Sequence, residues 1–499
     1  MKQVWIGGRD WAWRLLILTI PVTSMPLVIR LVGSDTVGSP SVILLAFLIF
    51  VWLVPLWLLG TKIPKLTLPL FAFVCAAIVS TAAAFFIEIP PYKDISILRT
   101  AVVSIITLLI GFGFYLLTVA ITAEEGKIVE SLRWLDLAGL LVIAWCLVQA
   151  IAWRGFGGYP QWMRDFHDLY SRGPLYNNRV TGFALEPSWL ANQINLLFLP
   201  FWFAACVKRW SAYPWRLLRI FQVEDALLAG GLICLFLSLS RVGLLATLLM
   251  GAFVLLRVNS WLIKKIETRL QMSNFFVKMS RTQRKRVLMA IISAGLAIFY
   301  IGGMIGVGVV LSRSDPRMKE LFTFSFGERN PLLEYADALN FSTRVVYWQA
   351  GWETFNDYPW LGVGLGNVGF FFPEKLNAFA WQLVEVRDLV YRSGNLLNSK
   401  CLWVRILAET GVVGFALFTV WLILMWKASD SLEKSLQPVF NVTGLMGKLS
   451  IVALFMEGFS VDSFALPYIW LILGLVTSGA WLNLRRIESL PISKNSEDL

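Results

Sequence analysis

The chain has 499 residues, 57% of them hydrophobic and 15% charged, and a formal net charge of +12. Soluble domains carry about a quarter charged residues, so this composition excludes an ordinary water-soluble protein. A pI near 9.5 would suggest nucleic acid as a partner of a soluble chain, but here the basic excess sits in short loops between apolar runs, where membrane lipid is the expected partner and nucleic acid is not.

The 35 Phe and 23 Trp suit rings at two bilayer interfaces or stacking on sugars, and composition does not separate these uses. The cysteines Cys75, Cys146, Cys206, Cys234 and Cys401 lack CxxC spacing, and His167 is the sole histidine. Neither a disulfide framework nor a multi-histidine metal site is therefore expected.

A helix needs about 20 apolar residues to cross the hydrocarbon core. By that length the chain predicts spans at 15–32, 41–60, 66–86, 101–122, 134–153, 183–207, 225–240, 242–262, 287–311, 402–426, 447–461 and 464–484. This is an all-α polytopic fold of about twelve transmembrane helices. The apolar run after Arg14 lacks a small-residue cleavage site, so it reads as a span and not as a cleavable signal. Residues 1–311 hold the first group of spans with short loops, 312–400 form one large loop, 401–486 hold the last spans, and 487–499 are a tail expected to lack order.

Loop charge predicts the orientation. Lys2, Arg9 and Arg14 precede the first span, Lys62 and Lys65 follow the second, and Lys208, Arg209, Arg216 and Arg219 follow the sixth. The loop Arg257–Arg286 holds nine Lys/Arg against the single acid Glu267. These loops alternate onto one side, which the positive-inside rule makes the cytoplasm, together with both termini. The loop 312–400, with nine basic and ten acidic residues, then falls outside. Within it, Leu376, Phe379, Ala380, Leu383 and Val384 recur at helical spacing and predict an amphipathic helix on the membrane surface. The Gly362-Val-Gly364-Leu-Gly366 run reads as a turn or close-approach site. It lacks the preceding strand and the lysine of a phosphate loop.

An ionised side chain at membrane depth is costly, so each is a functional candidate. Glu186 precedes Pro187 at the outer end of the sixth span, placing it at or beside a helix N-cap, either as a capping residue alone or as a catalytic or acceptor-binding group. Arg241 follows the break Ser238-Leu-Ser240 and needs an anion, either a lipid diphosphate or an interhelical carboxylate. Arg344 follows Ser342-Thr343, a candidate cap, on a helix whose apolar face is expected at 345, 348, 352 and 355. It is either an exposed arginine on a loop helix or part of a site. Arg179 precedes the sixth span on the same side.

Three segments together resemble the bacterial O-antigen ligase and Wzy-type polymerase superfamily. They are Ser240-Arg241-Val-Gly243; Arg344 to Trp348 with Phe355-Asn-Asp357-Tyr-Pro359-Trp-Leu-Gly362-Val-Gly364-Leu-Gly366; and Leu407-Ala-Glu409-Thr410-Gly411-Val-Val-Gly414. The likeness covers roughly 175–425. It implies a GT-C-like membrane glycosyltransferase that works on the periplasmic face of the inner membrane, without metal or cofactor. The implied donor and acceptor are undecaprenyl-diphosphate-linked glycans. Arg241 and Arg344 would hold the diphosphate and Glu186 would be the base, in an inverting transfer; a chain-length-regulating co-polymerase is a further implied partner. Arg179, Tyr347, Asn398 and Lys400 are the substrate-binding candidates. Ligases of this superfamily carry a histidine before Glu-Thr-Gly, and ungapped alignment puts Lys400 there. The Glu186-Pro187-Ser188 sequence looks more like the polymerases. The expected function is thus a polysaccharide polymerase, with an O-antigen ligase or protein O-oligosaccharyltransferase as one alternative. The other is a lipid-linked glycan transporter without chemistry, disfavoured because the candidate charges cluster at the outer ends of the spans.

Overall fold

The computed structural model describes residues 2–32, 38–216, 221–270, 280–314 and 341–489, and their regular structure is helical. In chain order the helices are α1 (Lys2–Thr19), α2 (Pro26–Val32), α3 (Pro40–Leu58), α4 (Lys65–Phe86), α5 (Ile97–Ile121), α6 (Glu125–Phe156), α7 (Gln161–Tyr170) and α8 (Pro187–Lys208). They continue as α9 (Val223–Ser238), α10 (Arg241–Leu270), α11 (Arg281–Ser314), α12 (Ser342–Asp357), α13 (Val368–Lys375), α14 (Val384–Arg387), α15 (Leu402–Glu433), α16 (Pro438–Glu457) and α17 (Tyr468–Ser489). Seven of them (α3, α4, α5, α6, α8, α15 and α16) are long and apolar enough to cross a membrane. The chain is a multi-pass membrane protein.

Two predicted boundaries are corrected. The span expected at 15–32 is two helices, because Pro21 has no N–H to continue α1 and Pro26 opens α2. The span expected at 447–461 starts nine residues earlier, at Pro438. Lys448, within it, is 2% exposed and paired with Asp430 (2.5 Å) and Glu433 (3.1 Å) at the end of α15.

The chain forms two compact units, Met1–Leu244 with Val346–Leu499, and Leu245–Val345. In the second, α10 and α11 pair antiparallel, with Asn259 donating to Ser293 (2.9 Å) and Tyr300 to the Leu248 carbonyl. In the first, apolar burial gives helices little preference for each other over lipid, so small residues and interhelical hydrogen bonds carry the association. Tyr115 of α5 bonds Thr477 of α17 (2.8 Å), and Thr122 donates to Ser478 (2.8 Å). Trp202 of α8 lies where α6 and α9 leave only glycine, Gly139 and Gly231, and donates to Asp136 (2.8 Å).

The segment 346–400 folds on itself. Tyr347, Phe370, Phe371, Phe372, Leu383 and Val386 share a core with Tyr92 from the α4–α5 connection. The amphipathic helix expected at 376–384 does not form. Asn377 caps a single turn through the Ala380 N–H (2.8 Å), Leu376 and Leu383 are extended, and their side chains enter this core.

The Gly362–Gly366 run is a close-approach site. Val363 and Gly364 donate to the carbonyls of Ala408 and Glu409 (both 2.9 Å), and Val412 donates to Pro359 (2.8 Å). These bonds serve a break in α15 at Gly411, whose φ of 62° and ψ of −168° are non-helical. A Cβ at Gly411 would stand 2.6 Å from the Leu361 nitrogen, and one at Gly362 (φ +67°) 2.5 Å from the Ala408 carbonyl. Gly411→Ala should therefore destabilise the fold by about 2–3 kcal/mol or more, read as a lowered unfolding temperature in detergent, whereas Gly251→Ala, which meets no atom, should leave it unchanged.

Candidate functional site

Glu186 and Arg241 are neighbours through their helices. Glu186 is the N-cap of α8: its carbonyl accepts from Trp189 and Leu190 (both 3.1 Å), and its half-buried carboxylate accepts from the Ser188 hydroxyl. Arg241 opens α10 after Leu239 turns left-handed (φ 50°), with Ser240 as cap. The two first turns touch, since a Cβ on Gly243 would stand 2.6 Å from Ala191 Cβ. Arg179 joins them: its Nε donates to the Ser238 carbonyl (2.9 Å), and Val180 donates to Leu237 (3.2 Å). Burial and the Glu186 charge raise the Tyr176 hydroxyl pKa, and Arg179 opposes them, so both charges lie near this ring.

Tyr347 and Lys400 also meet. The Lys400 ammonium lies 5.6 Å from the Tyr347 ring centroid and 2.6 Å from Glu385. Lys400 is left-handed (φ 48°), which turns the chain into α15. The Tyr347 hydroxyl is buried without a hydrogen-bond partner among the described residues, and burial, then Glu385, pushes its pKa up. Asn398 is exposed and makes no side-chain hydrogen bond among the described residues. Arg344 belongs to the other unit, with its guanidinium 5.9 Å from the Phe341 ring. Its helix begins at Ser342, and the Phe341 carbonyl accepts from Arg344 (3.1 Å). The apolar face expected at 345, 348, 352 and 355 is turned. The buried side is Val346, Tyr347, Ala350 and Thr354, because Gly351 lets α12 approach Val404 of α15, and Trp352 stays exposed.

Several polar groups escaped the sequence reading. Glu457, 1% exposed at the end of α16, accepts from Asn195 (2.6 Å) and Asn192 (3.2 Å) of α8. It lines a cavity with Asn192, Leu402, Phe464 and Tyr468. Arg405 pairs with Glu409 (2.9 Å) and donates to the Asp462 carbonyl (2.8 Å). The Arg-x-x-x-Glu spacing, four apart on one helix face, would have found this pair, and Glu457 was an acid inside an apolar run. With Asp136, Lys448 and Glu409 inside spans, the expectation that charges cluster only at the outer ends is corrected, although each has a bonded partner. Removing one member of a buried pair strands the other charge, so Glu409→Ala should cost about 3–5 kcal/mol in detergent unfolding, while Arg405→Met with Glu409→Leu should cost much less.

The segment 154–182, which precedes Glu186 in the chain, contains α7 and is held by buried polar bonds. His167 bonds the Tyr170 hydroxyl (2.9 Å) and donates to the Gly173 carbonyl (2.7 Å), while Gln149 Oε1 of α6 accepts from Thr181 and Gly182 (both 3.0 Å). Burial lowers the His167 pKa, so its neutral form is favoured in the fold. That contribution is present above the unfolded value of about 6.5 and is lost as pH falls through the folded value. Unfolding temperature should thus drop between pH 7.5 and pH 5 in a way that His167→Gln flattens.

Residues 226–419 match a protein family described as O-antigen ligase, in keeping with the O-antigen ligase and polymerase superfamily that the motifs resemble. The match includes Arg241, Arg344 and Glu409-Thr410-Gly411, and leaves out Glu186 and Glu457. Members of this family are membrane glycosyltransferase-like enzymes acting on lipid-linked glycans. No curated protein matches the chain.

Proposed function

We propose that the chain is a Wzy-type polysaccharide polymerase of the bacterial inner membrane, joining undecaprenyl-diphosphate-linked repeat units at the periplasmic face. The helices α1, α9, α10, α11 and α17, added to the seven apolar ones, would give about twelve crossings in a GT-C-like arrangement. Both termini would be cytoplasmic, and 312–400 the large periplasmic segment. The observation that carries the reading is the packing of the first turns of α8 and α10, which sets a carboxylate and a guanidinium at neighbouring helix starts.

In the reaction the acceptor hydroxyl oxygen attacks the donor's anomeric carbon as the bond to the diphosphate oxygen breaks. The electron pair leaves with the diphosphate, where Arg241 and Arg344 would stabilise the growing charge, with Arg179 close by. The hydroxyl proton passes to Glu186. Tyr347, Asn398 and Lys400 would contact glycan, and a chain-length-regulating co-polymerase is a candidate partner. The family match supports a ligase equally. The polymerase is preferred because Lys400, held by Glu385, stands where ligases carry histidine.

Purified protein given synthetic lipid-linked repeat units should build a ladder of longer chains. Arg241→Ala and Arg344→Ala should each lower the rate about a hundredfold, as should Glu186→Gln. Normal ladders from both arginine variants would remove the diphosphate assignment. Transfer of glycan to a lipid A core or protein acceptor, without chain growth, would replace the polymerase by the ligase. Translocation across vesicles with no new glycosidic bond would make the chain a transporter.

A further inference from the structure

Asn195 has an unusual position. It is fully buried, in the Ile194–Phe198 stretch where α8 widens into a π turn, a local geometry that recurs at functional sites because it re-aims side chains. Its single amide nitrogen donates to both Glu457 Oε1 (2.6 Å) and the Gly243 carbonyl (2.8 Å). One side chain therefore ties three elements: the helix that starts at Glu186, the first turn of the helix that starts at Arg241, and the end of α16. Glu457 is costly to bury at membrane depth, and its carboxylate, also held by Asn192, orients the amide so that its nitrogen faces Gly243.

We infer that Asn195, oriented by Glu457, is a positioning residue that sets the start of α10, and with it Arg241, against the start of α8. The inference rests on the proposed function, because it gives Arg241 a diphosphate to meet. Neither Asn195 nor Glu457 lies within the family match. The clamp would hold the guanidinium fork in register with phosphate oxygens without touching substrate itself, and a shift at Gly243, two residues from Arg241, would misalign that fork.

The test measures binding of a polyprenyl diphosphate lipid to purified protein in detergent, beside unfolding temperature. Asn195→Ala keeps the Glu457 charge and removes the bond to Gly243, so lipid affinity should fall about tenfold, the size of one charge-assisted contact. Asn192→Ala removes another donor to Glu457 without touching the bond to α10 and should keep affinity within about twofold at a comparable loss of stability. An equal loss of affinity in Asn195→Ala and Asn192→Ala would reduce the clamp to packing and overturn the inference, as would unchanged affinity in Asn195→Ala alongside weakened binding in Arg241→Ala. Unchanged affinity in Arg241→Ala would instead overturn the diphosphate reading itself.

Discussion

At membrane depth a backbone N–H or C=O has no water to bond, so every interruption of a helix must be completed by another piece of chain. The break of α15 at Gly411 imposes that requirement, and Pro359 to Gly366 meet it by bonding to Ala408, Glu409 and Val412. Ser80 of α4 adds its hydroxyl to the Glu409 carbonyl (2.7 Å), and Thr81 accepts from Leu365 (3.0 Å). Once this strap is seated, α12 and α13 lie on either side of it in the chain. Their aromatic core closes over the α4–α5 connection, and Tyr347 comes to rest beside Lys400. The glycine-rich run is a backbone splint, not an anion cradle.

The buried charges obey a related rule. Arg405 with Glu409, Lys448 with Asp430 and Glu433, and Glu457 with two asparagines each remain in the interior because a specific partner satisfies them. The first and last of these sit near the ends of α15 and α16, joined by the bond from Leu402 to the Gly458 carbonyl (2.7 Å). The polar groups around Glu186 and Arg241 are thus anchored to the same pair of helices that carries the Glu-Thr-Gly break. Chemistry at the helix starts and packing at the helix break share one scaffold.

Much of this was legible from residue order. Glu186 before Pro187 announced a helix start, and the break Ser238-Leu-Ser240 announced another, because proline and serine act locally on the backbone. The three spaced glycines announced a close approach, though not what approaches. The helix expected at 376–384 failed because periodicity registers which residues are apolar and not whether their burial comes from a helix or from a folded turn. The face of α12 was misassigned for a similar reason: large aromatics suggested the buried side, while a single glycine, Gly351, decided it.

Sequence alone determined that the chain enters a membrane many times, which ends of its helices hold Glu186 and Arg241, and which superfamily its motifs resemble. These follow from hydropathy, helix capping and short-range spacing, all of which act within about twenty residues. Only the tertiary structure decided that the starts of α8 and α10 touch, that Asn195 ties both to Glu457, and that the glycine run splints α15. Those contacts join residues from about 50 to more than 250 positions apart, and nothing in local chain chemistry sets which distant helix answers an unsatisfied polar group.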